Sequence, residues 1–258
     1  GQINVLAGVH LTPADFYEIR EMVSNFGLKP IILPDLSCLD GSREGVSALA
    51  IGGTDVDDIE AMKDSAYTIA IGASLEHAAM KLHERFGVPY ALFDTLTCVE
   101  DIDRLMGMLA FLSKGATPSK YVRQRKGLID GMRDAHFYYG NKRFAIAQES
   151  DLAIQLSHLI HRMGAVVELC VLPWEGQSVK KIYAKKIVKG TLFNIAGDFD
   201  CIITNSHGKE TANGLKTPLY QMGFPVYGVM GYTNKVTIGY GGALSLINEI
   251  ANLLINSH

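Results

Sequence analysis

The sequence alternates short β-rich segments with amphipathic stretches of helix length, and both halves of the chain repeat this alternation. Such a pattern is typical of βα units that build a parallel sheet with helices on both faces. In the first half it predicts strands at 3–8, 29–35, 66–72 and 88–94, with helices near 13–26, 55–63, 74–86 and 98–113. In the second half it predicts strands at 143–148, 166–172, 200–206 and 225–230, with helices near 118–138, 150–163, 179–196, 208–216 and 243–256. The predicted fold class is α/β, with two domains that each hold about four parallel strands.

The length of 258 residues is also more than one domain usually needs. The segment 113–120 combines Gly, Pro, Ser and Lys, which is the composition of an exposed connection with few core contacts. We therefore predict a boundary there, with domains at 1–114 and 115–258. Gly1 stands where an initiator Met is expected, which predicts that sequence is missing upstream.

Capping residues mark the ends of several predicted helices. Thr12 precedes a proline, so a capping hydroxyl stands before the residue type that tolerates the first helical position. Thr97 and Glu100 have the spacing of a capping box. Gly27 and Gly87 follow predicted helices, where glycine can adopt the left-handed backbone conformation that ends a helix.

Charge and hydropathy exclude several classes of partner. The net charge is −3, from 24 basic and 27 acidic residues, so we expect no attraction to nucleic acid or to an anionic membrane. No apolar run approaches the ~18 residues that a membrane helix needs. The four cysteines include no C-x-x-C pair and match no disulfide framework, which favours a reducing, cytoplasmic setting.

Two glycine-containing segments resemble phosphate-binding loops only in part. A nucleotide site needs a glycine-rich cradle, because backbone amides must approach the phosphates closely. The segment Gly208-Lys209-Glu210-Thr211 lacks the upstream glycine of a P-loop. The segment Gly239-Tyr240-Gly241-Gly242 has the wrong spacing before its helix, and it leaves two alternatives open: close backbone packing or binding of an anion.

Polar residues follow several of the predicted strands. Ligands of parallel α/β sheets bind beyond the carboxyl ends of the strands, where the strand order reverses. The candidates at such positions are His10, Asp35, Asp94, Glu149, Asn205 and His207. Asp35 and Asp94 are either a general acid and base pair or helix caps. The turn 205–208 either meets an anion or a partner carboxylate, or it is a structural turn.

The four cysteines divide into two kinds. Cys170 and Cys201 lie inside apolar strands, where cysteine is usually buried and inert. Cys38 follows a predicted strand and Cys98 follows a helix cap, so these two are the weak candidates for metal ligands. Surface or packing roles compete with metal binding at both positions.

A pair of histidines lies three residues apart in one predicted helix. His158 and His161 could share a metal ion, but the apolar stripe of the same helix predicts that both side chains point to solvent. Spacing alone assembles no nucleophile, base and orienting group. We therefore identify no catalytic residues from the sequence.

The order of several longer segments resembles the nitrogenase component 1 superfamily. HLTPADF at 10–16 and PDLS-x-LDG at 34–41 favour its cofactor-assembly scaffolds, the NifEN proteins, over its catalytic subunits. The segments 123–152, 204–208 and 223–254 extend the resemblance over nearly the whole chain. Cys38 occupies the variable position of the second motif, where the family resemblance leads us to expect a small residue.

The resemblance implies both a fold and a role. The fold would be three Rossmann-like domains per subunit, of which this chain holds the second and third and lacks the first. The role would be assembly of the iron-molybdenum cofactor on a heterotetramer with NifE subunits, which the nitrogenase iron protein visits. The iron-sulfur cluster and the cofactor precursor of that heteromer would lie outside this chain. The fragment would then have no cofactor of its own, and Cys38 and Cys98 would inherit no ligand role.

The main interpretation is that this chain is a structural, partner-binding part of a scaffold subunit. Two alternatives remain open. One is the β-subunit of a nitrogenase or nitrogenase-like reductase, and the other is an independent α/β protein or enzyme that binds a small ligand. A partner-binding role predicts an exposed apolar surface. The C-terminal helix within 241–258 has apolar residues on most sides, so it is either buried in the chain or in contact with a partner.

Overall fold

The computed structural model describes residues 1–41, 52–174 and 176–257. The chain forms two compact units. The first contains Gly1–Arg125 and Thr233–Gly242, and the second contains Lys126–Tyr232 and Ala243–His258. The domain limits 1–114 and 115–258 stay a prediction about the natural domains.

The first unit is a four-stranded parallel sheet with helices between the strands. In chain order its elements are β1 (Gln2–Ala7), α1 (Pro13–Asn25), β2 (Lys29–Leu33), α2 (Val56–Ala61), β3 (Thr68–Ile71), α3 (Glu76–Phe86), β4 (Tyr90–Phe93) and α4 (Val99–Ser113). The strand order is β2-β1-β3-β4, and every pair is parallel. All eight predicted elements of this half are confirmed, with ends shifted by a few residues.

Local capping explains where α1 starts and where α1 and α3 end. The Thr12 hydroxyl accepts a hydrogen bond from the Asp15 amide, and the Asp15 carboxylate accepts one from the Thr12 amide, which completes a capping box at α1. Gly27 and Gly87 both have φ of +73°, as predicted for residues that end helices. The N-cap of α4 is Cys98, one residue after the Thr97 that was predicted, and the capping box itself stays a prediction. The Thr97 hydroxyl also lies 2.7 Å from the Thr95 hydroxyl.

The second unit is a five-stranded parallel sheet. The elements from residue 119 onward are α5 (Ser119–Tyr139), β5 (Arg143–Ala147), α6 (Ser150–Arg162), β6 (Val166–Leu172), β7 (Lys186–Lys189), β8 (Cys201–Thr204), α7 (Lys209–Leu215), β9 (Leu219–Gln221) and α8 (Gly239–Ile255). The strand order is β7-β6-β5-β8-β9, again with every pair parallel. The α/β class and the two parallel sheets are therefore confirmed, although the second sheet has one strand more than predicted.

The helix predicted at 179–196 is wrong. A 3-10 helix at Gln177–Lys181, the strand β7 and a second 3-10 helix at Leu192–Asn194 occupy this segment. The physical reason is the Lys-Ile-Val-Lys sequence of β7, whose β-branched residues favour an extended backbone and whose lysines suit an edge strand. β7 pairs only with β6 in the described sheet.

The strand predicted at 225–230 is also wrong. The last strand, β9, lies earlier in the chain, and residues 225–230 form a loop. Pro225 has no amide hydrogen, and the amides of Tyr227 and Gly228 donate to the Ser206 hydroxyl rather than to a neighbouring strand. Apolar composition alone therefore misassigned a loop as a buried strand.

The C-terminal helix has most of its apolar residues buried within the chain, and contact of its exposed residues with a partner stays a prediction. The apolar residues Leu246, Ile247, Ile250 and Leu254 of α8 are all buried. Tyr139 donates to the Ile247 carbonyl, and Tyr220 donates to Glu249, so α8 is tied to the second unit. Ile255 is 41% exposed at the end of the helix. None of the helices in the described ranges combines the length and apolar content of a transmembrane span.

Candidate functional site

The strand order of the first sheet reverses between β1 and β3, which is where such sheets usually bind ligands. His10 lies just beyond β1 and is buried. A Cβ atom on Gly8 would lie 2.5 Å from His10 Nδ1 and 2.9 Å from the Ile71 carbonyl oxygen. The imidazole of His10 therefore lies so close to residue 8 that only glycine fits there. A ligand role for His10 stays a prediction.

Asp35 shapes the turn that follows β2. Its Oδ2 accepts a 2.5 Å hydrogen bond from Arg20, its Oδ1 accepts one from the Ser37 amide, and its side chain is 1% exposed. Asp94 follows β4, which lies at the opposite edge of the sheet from β2. Three strand spacings of ~4.8 Å separate those edges, roughly 14 Å in all. Asp35 and Asp94 are therefore too far apart to act as an acid and base on one proton.

All four cysteines, each in a described part of the chain, are thiols. Cys170 and Cys201 are buried as predicted, and burial raises the pKa of each to about 12, which disfavours the reactive thiolate. Cys38 is half-buried beside the Asp35 carbonyl, and Cys98 is buried as the N-cap of α4. Among the described residues, no group of three His, Cys, Asp or Glu side chains is arranged to hold a metal ion.

His158 and His161 lie against a tyrosine. Their rings are 4.5 and 4.9 Å from the Tyr183 ring, and His158 Nε2 lies 2.8 Å from the Lys181 carbonyl oxygen. The Tyr183 amide donates to the Ser157 hydroxyl. His161 is exposed as predicted, whereas the prediction that His158 points to solvent is wrong. These contacts attach the segment that follows β6 to α6.

In the second sheet the strand order reverses between β5 and β8. Glu149 follows β5 and is the N-cap of α6: its carboxylate accepts hydrogen bonds of 2.9 and 2.5 Å from the Asp151 and Leu152 amides. Burial raises the pKa of Glu149, and the two amides work against that rise. The amides that would hold a phosphate in a dinucleotide-binding fold thus bind the chain's own carboxylate.

The Asn205–Gly208 turn follows β8 and is held by hydrogen bonds within the chain. The Asn205 side chain accepts from the His207 amide and donates to the Phe224 carbonyl. The Ser206 hydroxyl accepts from the Tyr227 and Gly228 amides, at 2.9 and 3.0 Å, and donates to Gln221. These bonds attach the loop that follows β9 to the end of β8. The sequence singled out this turn but not these bonds of Ser206, because the partners lie 15 to 22 residues away.

The attached loop, residues 224–230, exposes apolar side chains. Phe224, Tyr227 and Met230 are 90%, 68% and 96% exposed, and Val229 is about half-exposed. The exposed ring of His207 lies 5.7 Å from that of Tyr227. No Asp, Glu, Lys, Arg or His occurs between Lys216 and Lys235, so the loop is uncharged as well as apolar. We refer to it as the 224–230 loop.

The glycines of two candidate phosphate loops have packing roles. A Cβ atom on Gly208 would lie 2.2 Å from Thr204 Cγ2, and one on Gly242 would lie 2.7 Å from the Thr237 carbonyl carbon. Close backbone packing therefore accounts for Gly242 at the start of α8, whereas a Cβ atom on Gly241 would meet only the side chain of Gln124. Asn205 and His207 stay predictions as ligand contacts.

The fold and these sites define a nitrogenase-type α/β chain. Residues 1–255 match the family model for nitrogenase component 1 type oxidoreductases, and the chain belongs to that family. Within the family, its sequence is similar to the iron-molybdenum cofactor biosynthesis protein NifN. The family resemblance found in the sequence is therefore confirmed.

Two NifN relatives show how far the similarity extends. The protein from Bradyrhizobium diazoefficiens is 40% identical over 98% of this chain and 56% of its own length. The protein from Nostoc sp. is 36% identical over 99% of this chain and 59% of its own length. The chain thus spans less than two thirds of the length of these relatives.

A solved nitrogenase structure has the same fold. The chain superposes on the structure described as nitrogenase Cp1 at pH 6.5 with a TM-score of 0.90 and 29% sequence identity. The match covers 99% of this chain and 60% of that one. The superposition confirms the two Rossmann-like sheets that the family resemblance implied.

Proposed function

We propose that this chain is part of a scaffold subunit on which the nitrogenase iron-molybdenum cofactor is matured before its transfer to nitrogenase. The observation that supports this most is the similarity to NifN along 98% of the chain at 40% identity. Identity to the nitrogenase structure is lower, at 29%, which favours a scaffold over a catalytic β-subunit. The contribution of this chain is structural and partner-binding.

An iron-sulfur cluster does not fit the residues of this chain. Protein clusters are usually held by several cysteine thiolates, and here Cys170 and Cys201 are buried and protonated at neutral pH. Cys38 and Cys98 follow different strands of the first unit, and no third ligand accompanies them in the described residues. In this proposal, the cluster and the cofactor precursor are therefore bound by parts of the complete heteromer outside this chain.

The proposed partner is the NifE subunit, in a heterotetramer that the nitrogenase iron protein visits. The 224–230 loop supports a partner-binding role, because exposed apolar groups that the fold holds in place are typical of contact surfaces. The proposed setting is the cytoplasm, where cysteines remain thiols.

Metal analysis after anaerobic reconstitution tests whether this chain holds a cluster. We expect substoichiometric iron on the purified chain and stoichiometric iron on a complete NifN–NifE complex that is reconstituted in parallel. The physical reason is the lack of a grouped thiolate set among the described residues. One cluster per chain that is lost in Cys38→Ser or Cys98→Ser would contradict the proposal.

A further inference from the structure

Residues Thr233–Gly242 belong to the first unit, although Tyr232 and Ala243 on either side belong to the second. We call these ten residues the return segment. Thr237 and Ile238 at its centre are completely buried. The segment lies outside the four strands of the first sheet, so hydrogen bonds other than a β-ladder must hold its backbone.

A buried carboxylate supplies those bonds at the centre of the return segment. Asp15 Oδ1 accepts a 2.6 Å hydrogen bond from the Thr237 amide, and Asp15 Oδ2 accepts a 2.7 Å bond from the Thr237 hydroxyl. The Thr12 amide donates to the same Oδ2 at 2.9 Å, and the Thr12 hydroxyl donates to the Lys235 carbonyl at 2.7 Å. The capping box of α1 therefore doubles as the binding site for the return segment.

The far end of the return segment has separate attachments. The Gly239 amide donates to the Leu96 carbonyl at 2.9 Å. The Tyr240 hydroxyl donates to Asp103, which also accepts a bidentate pair from Arg125. Residues 235–238 are thus held by the Thr12–Asp15 pair, and residues 239–240 are held by α4 and its neighbours.

Three N–H and O–H groups donate to Asp15, which is the environment that suits an ionised carboxylate, and hydrogen bonds to a charged acceptor are stronger than neutral ones. Burial raises the pKa of Asp15, and the donors Thr237 and Thr12 work against that rise. A buried carboxylate that loses a donor keeps its desolvation cost without the compensating bond. The return segment and the carboxylate therefore stabilise each other.

We propose that Asp15 is a clasp that keeps the return segment folded in the first unit, and that loss of the clasp opens this segment locally while both sheets stay folded. A segment that is held by a few hydrogen bonds outside a sheet can open locally, and such an opening costs less free energy than global unfolding.

Hydrogen exchange measured by mass spectrometry on the full chain tests the clasp. Thr237→Val removes one charge-assisted bond and keeps the shape of the side chain. We expect the amides of 235–240 to exchange about tenfold faster or more, the factor that follows from losing one bond to a charged group. Asp15→Asn replaces one carboxylate oxygen with an NH2 group, which cannot accept a bond from the surrounding N–H and O–H donors. We therefore expect a larger increase in the exchange rate at the same residues.

Thr217→Val is the matched control, since it removes a buried threonine hydroxyl from the second unit, where that hydroxyl bonds the Leu215 carbonyl. It should leave exchange at 235–240 unchanged. Unchanged exchange in Thr237→Val would overturn the proposal. Equal acceleration in β1, β3 and the return segment would also overturn it, because the segment would then open only with the whole unit.

Discussion

Gly242→Ala is expected to lower the free energy of unfolding by about 3 kcal/mol, the upper end of the usual cost of overpacking. The new Cβ atom would lie 2.7 Å from the carbonyl carbon of Thr237 and 3.1 Å from its Cα. These are backbone atoms in a buried segment that Asp15 holds, so neither side can move without breaking hydrogen bonds. Urea denaturation followed by circular dichroism measures the change.

Gly241→Ala is the matched control for this prediction. A Cβ atom there would lie 3.4 Å from Gln124 Nε2, which is the end of a flexible side chain. Because alanine is a better helix former than glycine, we expect stability to stay the same or to rise by up to ~1 kcal/mol. Equal losses in both variants would show that the glycines matter for a reason other than the contact with Thr237.

The double variant Phe224→Ser, Met230→Ser is expected to weaken binding of the NifE subunit by about 30-fold or more. The two side chains are the most exposed apolar groups of the 224–230 loop, and the bonds to Asn205 and Ser206 hold the loop in place before any partner arrives. Apolar anchors that need no further ordering on binding can each contribute about 2 kcal/mol. Titration calorimetry or surface plasmon resonance measures the affinity.

Phe111→Ser controls for the loss of an exposed ring elsewhere. Phe111 is 81% exposed on α4, in the other unit, so its replacement should leave the affinity unchanged. The thermal midpoint of the loop variant should match that of the unaltered chain, since neither loop side chain is buried. Unchanged affinity in the double variant would remove the 224–230 loop from the contact surface.

Periodicity and turn residues were sufficient to predict most of the fold. Thr12, Gly27 and Gly87 mark helix ends through interactions with their near neighbours, so a local pattern shows them. β7 was missed because a strand of only four residues, two branched residues between two lysines, is too short to show a period that distinguishes it from a helix. The 224–230 loop was misassigned because its apolar residues are exposed rather than buried, and composition does not distinguish the two.

The candidate sites were harder to predict than the fold, because they depend on contacts between distant residues. Asp15 meets Thr237 across 222 positions of the chain, and no spacing rule connects them. Ser206 is similar, since its partners come from the loop after β9. Asp35 and Asp94 looked alike in sequence, but the strand order puts them at opposite edges of the sheet. The function was suggested by resemblance along the whole chain, while local chemistry indicated no catalytic set.

The central claim is that this chain is the structural, partner-binding part of a cofactor-assembly scaffold. Sedimentation velocity tests it most directly, with the unaltered chain at several concentrations, alone and with purified NifE subunit. The account predicts a faster boundary that contains both proteins and grows with the concentration of NifE. Separate boundaries for the two proteins at every ratio would contradict it.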